Sequence, residues 1–349
     1  MNQSLDWRLK GIKMNSKKLV VAMYNQGQNE AGPKAKCDIE KFLTTAGFQQ
    51  VNFHFQGNRK AKLMSFKQSW WDIPRTFAQI TADQVFFQYP AFNWRTNWAI
   101  LRAAKKIATQ VFLIIHDVES LRQQQLNQTY LQQEINFFNQ ANGLIVHNSK
   151  MKTWLSHQGV LVPMIDLQIF DYDNPQPFVE LPYRGSLCYA GNLAKAGFIQ
   201  NLKLHHQFYL YGSNPAASYP TKISYQGSFL PDELPAHLKG DFGLIWDGDR
   251  VDRCSGIFGE YLKYNDPHKT SLYLSSGLPV IIWRQAALAD FVSQQQVGLL
   301  VDRLDQIDSL LDKLTVAEYQ RLRQNAQQIG RKMRQGQFIK TACQQILTV

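Results

Sequence analysis

The stretch Tyr264–Trp283, YNDPHKTSLYLSSGLPVIIW, decides how this chain reads. It divides into a loop, a short helix, a Gly-Leu-Pro turn and a buried strand. Asp266 is a good N-cap and Pro267 a good first helical residue, which puts Lys269 in the first turn. There, free backbone N–H groups and the positive end of the helix dipole point the same way as the lysine. Such a place attracts an anion, phosphate above all. Gly277 closes the helix, and Val280–Trp283 is a continuous apolar run of the kind found in a parallel strand covered on both faces. A capped surface helix with a solvated lysine is the alternative these residues leave open.

Upstream, apolar strands alternate with helical segments. Strands are expected at Leu19–Tyr24, Val51–Phe55, Val85–Tyr89, Val111–Ile115 and Leu144–His147, with helices at about Pro33–Thr45, Trp94–Ile107, Thr129–Gln140 and Lys150–His157. Gln56–Lys67 reads as a basic loop. Asp171–Arg184, with three prolines and no periodicity, reads as a linker. The pattern restarts with strands at Leu187–Ala190, Phe208–Tyr211, Gly243–Trp246, Val280–Trp283 and Leu299–Asp302, then an amphipathic helical tail from about Val316. Alternation of this kind predicts α/β architecture: two doubly wound, Rossmann-like domains whose strand ends face a central cleft. The expected division is 1–170, a linker at 171–185, 186–330, and a terminal helix at 331–349 packing back toward the first domain.

At 349 residues the chain suits two domains of roughly 150–180 residues. Its formal charge of +11 is uneven: residues 1–171 hold 20 Lys/Arg against 11 Asp/Glu. A basic first half suits an acidic partner or an anionic membrane surface, or serves solubility alone. Aromatic residues do not interleave with the lysines and no RNA-binding motif is present, so nucleic acid is not an expected partner. Cys37, Cys188, Cys254 and Cys343 lie far apart and read as reduced thiols. Residues 1–16 lack the apolar core of a signal peptide, and no apolar run approaches the roughly 20 residues that span a bilayer. The expectation is a cytoplasmic protein, with at most peripheral contact to the inner face of a membrane.

Ligands of such sheets bind beyond the C-terminal strand ends. There the second half carries Gly191-Asn192 with Lys195 just after it, Tyr211-Gly212, Asp247, and the helix that opens with His268, Lys269 and Thr270. Glycines and lysines at successive strand ends suit a diphosphate. In the first half, Gly27 and Gly32-Pro33-Lys34 come after the first strand but match neither dinucleotide nor ATP-binding loops. His116-Asp117 ends a buried strand. Asp117 could take a proton from an incoming hydroxyl, with His116 as a second candidate base, or it could cap the next segment, VESLR. Asp247-Gly248-Asp249 has the spacing of a metal-holding pair but reads better as a loop, so no metal is expected. His205-His206 has no partner at useful spacing and reads as structural. Trp70-Trp71 reads as an acceptor wall, a small interface or core.

The same blocks resemble nucleotide-sugar glycosyltransferases of the GT-B fold. YAGNL (189–193), FLPDEL (229–234), GLIWDGD (243–249), GEYLKYNDPHKTSLYLSSGLPVIIW (259–283) and HDVESLR (116–122) resemble, in order, the bacterial glucosyltransferases that extend O-glycans on serine-rich-repeat adhesins, among whose relatives are β-1,6-galactofuranosyltransferases. The resemblance implies transfer of a hexose, glucose or N-acetylglucosamine, from a UDP-sugar to a GlcNAc-bearing O-glycan, without cofactor or metal, by a homo-oligomer (dimer or tetramer). By it, Lys269 contacts the diphosphate, Lys195 stands near a phosphate-binding arginine, and Phe229 or Tyr225 lies by the uracil. Gly32 and Lys34 fall on a loop that approaches the sugar. The glutamate that grips ribose in the wider pattern is Leu272 here, which leaves backbone groups or Glu260 for that role. Galactofuranosyl or galactosyl transfer in polysaccharide synthesis is the alternative activity, and a non-catalytic nucleotide-sugar-binding scaffold the alternative of another class.

Overall fold

The computed structural model describes residues 14–26, 31–56, 66–91, 93–123, 128–180 and 182–349. They form two six-stranded sheets. The first is built from β1 (Met14–Gln26), β2 (Gln49–Gln56), β3 (Ile80–Tyr89), β4 (Gln110–Ile115), β5 (Gly143–Val146) and β6 (Met164–Asp166), in the order β2-β1-β3-β4-β5-β6. The second uses β7 (Leu187–Ala190), β8 (Phe208–Tyr211), β9 (Ile223–Gly227), β10 (Phe242–Ile245), β11 (Val280–Trp283) and β12 (Gly298–Val301), in the order β12-β11-β10-β7-β8-β9. Every pairing is parallel. The central strands are buried on both faces: Leu19–Ala22, Val111–Ile115 and Val280–Trp283 are all inaccessible to solvent or nearly so. Helices cover both sides, as runs of this kind demand.

Each sheet order reverses once, and the reversal makes the crevice where such sheets bind ligands. In the first sheet it lies between β1 and β3, in the second between β7 and β10. The loops after β4 and β5 meet the segment after β10. Tyr261 reaches Asp117, and the Asn148 amide donates to Asp266 Oδ1 at 2.6 Å.

The segment 171–184 has no helix or strand, but it is pinned. Asn174 donates to the Ser275 carbonyl, and the buried Asp171 carboxylate accepts from the N–H groups of Phe338 and Ile339. Asp171 thereby caps the helix Gln337–Gln345, whose Ile339, Ala342 and Cys343 share a core with Val20 and Phe112 of the first sheet and Phe42 of the helix Ala31–Thr45. The tail is therefore two helices. Val316–Arg334 ends at Gly336, which has φ +67°, and a Cβ there would stand 2.3 Å from the Phe42 ring.

Candidate active site

Lys269 stands at the reversal point of the second sheet. Its helix is His268–Ser275, and the N-cap is Pro267, so the expectation of an Asp266 cap is corrected. Asp266 is instead buried against the first domain: its N–H donates to His147 Nδ1 at 2.9 Å, and burial pushes its carboxyl well above the usual range. The Lys269 ammonium lies 2.7 Å from Asp247 Oδ1, 3.0 Å from the Tyr189 hydroxyl and 3.3 Å from the Trp246 carbonyl. Tyr189 belongs to β7, and Trp246 and Asp247 come directly after β10, so Lys269 gathers oxygens from both sides of the crevice. It is not a free surface lysine. Beside it, His268 Nε2 and Thr270 Oγ1 are buried without a hydrogen-bond partner. His268 packs against Tyr172, and burial, with Lys34 nearby, pushes its pKa down to about 3, so the ring is neutral.

The neighbouring strand ends are built tightly. A Cβ on Gly212 would stand 1.8 Å from the Gly191 carbonyl oxygen, so only glycine lets these two loops touch. A Cβ on Gly191 would have Tyr189 as its nearest neighbour, at 3.7 Å, an ordinary contact that leaves that backbone approachable. Asn192 caps the turn Leu193–Lys195, accepting from Ala194 N at 3.1 Å. Lys195 Nζ lies 4.0 Å over the Phe258 ring. Tyr211 is a correction: it is fully buried, its hydroxyl donating to the His237 carbonyl and accepting from Lys239 N, which leaves only backbone to offer a ligand. The half-exposed Tyr225 donates to the Gly212 carbonyl at 2.9 Å, and Phe229 stacks on His237 with centroids 3.9 Å apart. Asp247 is paired with Lys269, while Asp249 is exposed and accepts from Ser255 Oγ. Leu272 is core, and Glu260 is paired with Lys263 at 2.6 Å.

Across the cleft, Asp117 comes just after β4. It does not cap the next helix. That helix, Glu119–Arg122, starts from Val118, and its first N–H groups donate to the buried Glu134 carboxylate, at 3.0 Å from Glu119 and 2.9 Å from Ser120. Asp117 is thus left for other work. Tyr261, on the helix Gly256–Tyr261 of the other sheet's domain, donates to Asp117 Oδ1 at 3.2 Å and accepts from Val118 N. Burial pushes the Asp117 carboxyl up to about 6, against the pull of Arg122. Lys36 sits at the reversal point of the first sheet, 2.7 Å from the Pro90 carbonyl and 3.4 Å from that of Met23, and burial lowers its pKa to about 8 despite the field of Asp117. His116 is corrected as a second base. Its Nε2 bonds Gln88 Oε1 at 2.8 Å and its face lies on Phe170, while burial beside Lys36 holds its pKa well below the usual range. It is a packed, neutral residue.

The expected sugar-facing loop at Gly32 and Lys34 is also corrected. Both belong to the helix Ala31–Thr45, because a proline in a first turn starts a helix as well as it makes a loop. Lys34 is buried, 2.5 Å from Asp38 and 3.0 Å from Asp232 of the second domain. Gly27 and residues 57–65 of the basic loop lie outside the described residues. Trp70 and Trp71 are exposed, at 77% and 63%. Tyr261, Lys36 and Glu134 are not visible as site residues in the sequence. Only the block containing Tyr261 carries a signal, and its partner lies 144 residues away.

The sequence and the fold both match known proteins. The N-terminal domain model of the glucosyltransferase 3-like family matches residues 17–169, and its C-terminal domain model matches 187–346. The β-1,6-galactofuranosyltransferase WbbI of Escherichia coli (strain K12) is 34% identical over 278 residues, 76% of this chain and 79% of that protein. Glucosyltransferase 3 of Streptococcus gordonii is 25% identical over 92% of this chain and 95% of its own length. Among solved structures, sucrose-phosphate synthase from Thermosynechococcus elongatus superposes with a TM-score of 0.64 at 12% identity, covering 95% of this chain and 98% of that one. Anabaena HepE in complex with UDP and glucose gives 0.59 at 12% identity, over 95% and 99%. These share the GT-B fold. With two domain models matched in order and a relative above 30% identity, this chain belongs to the glucosyltransferase 3-like family of GT-B glycosyltransferases.

Proposed function

We propose that the chain transfers a hexose from a UDP-sugar to a hydroxyl of a glycan, with no metal in the reaction. The observation that carries this reading is the placement of Lys269 at the reversal point of the second sheet, in a helix first turn. The diphosphate takes Lys269, with the approachable Gly191 backbone, Lys195 and the unpartnered His268 and Thr270 around it. Lys269 and the helix N-terminus hold the charge that develops on departing UDP, the work a cation does elsewhere. Uracil stacks by Phe229 or Tyr225. Asp117 takes the acceptor proton as the acceptor oxygen attacks C1 and the C1–O bond to UDP breaks, which inverts the anomeric centre. The basic first domain holds the acceptor, which the sequence resemblance suggests is a GlcNAc-bearing O-glycan of a serine-rich-repeat protein. The enzyme acts as a dimer or tetramer in the bacterial cytoplasm, where its exposed Trp70-Trp71 and positive charge suit peripheral contact with the membrane.

Galactofuranosyl transfer is the second reading, favoured by the higher identity to WbbI. A panel of UDP-sugars, including UDP-glucose, UDP-N-acetylglucosamine and UDP-galactofuranose, assayed with and without EDTA, decides between them. Turnover of one donor that survives EDTA supports the proposal. Failure of every UDP-sugar, or activity that returns only with Mn²⁺, overturns it.

A further inference from the structure

Far from the cleft, at the N-terminal end of β8, four side chains converge outside the transfer site, and Asp308 Oδ2 also accepts from the His205 backbone N–H at 3.1 Å. His205 and His206 precede the strand, and Asp308 and Asp312 lie one turn apart on the helix Ile307–Lys313. One nitrogen of each histidine and one Asp308 oxygen lie within 4.8 Å of one another. His205 Nδ1 is 3.1 Å from Asp308 Oδ2, and His205 Nε2 is 3.1 Å from Asp312 Oδ1. His206 Nε2 is also 3.1 Å from Asp312 Oδ1. The other Asp308 oxygen is buried and has no partner. Gly185 makes room: a Cβ there would stand 2.7 Å from His206 Cε1 and Nδ1.

The hydrogen-bond arithmetic of His205 is the informative part. A neutral imidazole has one donor and one acceptor nitrogen, yet both ring nitrogens of His205 face carboxylate oxygens. One of those contacts sets lone pair against lone pair unless a positive charge lies between them. That charge is either a second proton or a metal ion. Ligands of tetrahedral zinc, bound at about 2.0–2.2 Å, lie about 3.3 Å apart, within a few tenths of the observed nitrogen–oxygen separation.

We propose that His205, His206 and Asp308 form a zinc site, with Asp312 as the outer carboxylate that holds the imidazoles, joining the strand β8 to the helix Ile307–Lys313. The ion stabilises the second domain and takes no part in transfer, since the cleft lies at the opposite ends of the strands. Calorimetry of the chelator-treated full chain with ZnCl₂ should give one ion per chain, and MgCl₂ should give none. His206→Ala and Asp308→Asn should abolish the heat and the zinc-dependent rise in melting temperature, yet melt like the parent in EDTA and keep its UDP-sugar turnover. Asp312→Asn should weaken zinc by about 10–100-fold. Absence of zinc binding, which would leave a doubly protonated His205 as the charge, overturns the site. So does binding that His206→Ala and Asp308→Asn leave intact.

Discussion

Asp117→Asn should stabilise the protein while disabling it. The carboxyl's pKa is raised by burial from 3.8 to about 6 in the folded state. A raised folded pKa means that the native state favours the protonated form. The stability tied to that proton is therefore fully present below the unfolded pKa and is lost as pH rises through the folded one. Above pH 6 the folded protein carries a buried charge that costs about 3 kcal/mol, taking roughly 1.4 kcal/mol per unit. Asparagine keeps the shape and can still accept from Tyr261, but it carries no charge. At pH 8 the variant should melt several degrees higher than the parent, and the gap should shrink as pH falls from 7 to 5. Turnover should fall by about 10²–10⁴, the usual contribution of a general base, with UDP affinity unchanged. The assay pairs thermal melts across pH with initial rates. A variant that is less stable at pH 8, or a gap that does not narrow in acid, would refute the burial argument. Near-normal turnover would remove Asp117 from the mechanism.

Neighbouring residues carry further expectations. Parental turnover should decline below about pH 6 as Asp117 takes a proton, and a flat acid limb in a pH–rate profile would speak against it. Tyr261→Phe removes the donor to Asp117, so the acid limb should move to higher pH while UDP affinity, read by calorimetry, stays the same. Asp249→Ala should retain activity with EDTA present, because that carboxylate serves only the Ser255 loop contact; loss of activity in a folded variant would place it in the site. Gly336→Ala forces a side chain at φ +67° against Phe42 and should destabilise by about 1–3 kcal/mol in denaturant melts, with an unchanged midpoint as the contrary result.

Much of the fold is legible because continuous apolar runs mark central parallel strands. Val280–Trp283 and Phe208–Tyr211 read to the residue, as does the helix Trp94–Ile107, whose Asn93 cap accepts from Thr96 N. The strands missed, β6 and β9, are edge strands, short and partly exposed, and so without an apolar run. The polar tail hides its own break at Gly336, since an amphipathic pattern persists on both sides of it. At the site, Lys269 is visible because a helix start is a local matter. Its bond to Asp247 is not, and neither are Tyr261 on Asp117, Lys34 on Asp232, nor the His205-His206 pair on Asp308. Those contacts join residues 22 to 198 positions apart, and only the folded sheets bring them together.

The central claim is that the ammonium of Lys269 holds the diphosphate of a nucleotide sugar. Removing it alone would leave the half-buried Asp247 with only the Tyr189 hydroxyl as a donor and no counter-charge, so the comparison is best made on an Asp247→Asn background. Calorimetry with UDP should show Asp247→Asn binding as tightly as the parent or tighter, since a carboxylate no longer competes for the lysine. Adding Lys269→Ala should then weaken binding by about 1.5–3 kcal/mol, roughly 10- to 150-fold, the range for a charged hydrogen bond. Equal UDP affinity in the folded single and double variants would contradict the account.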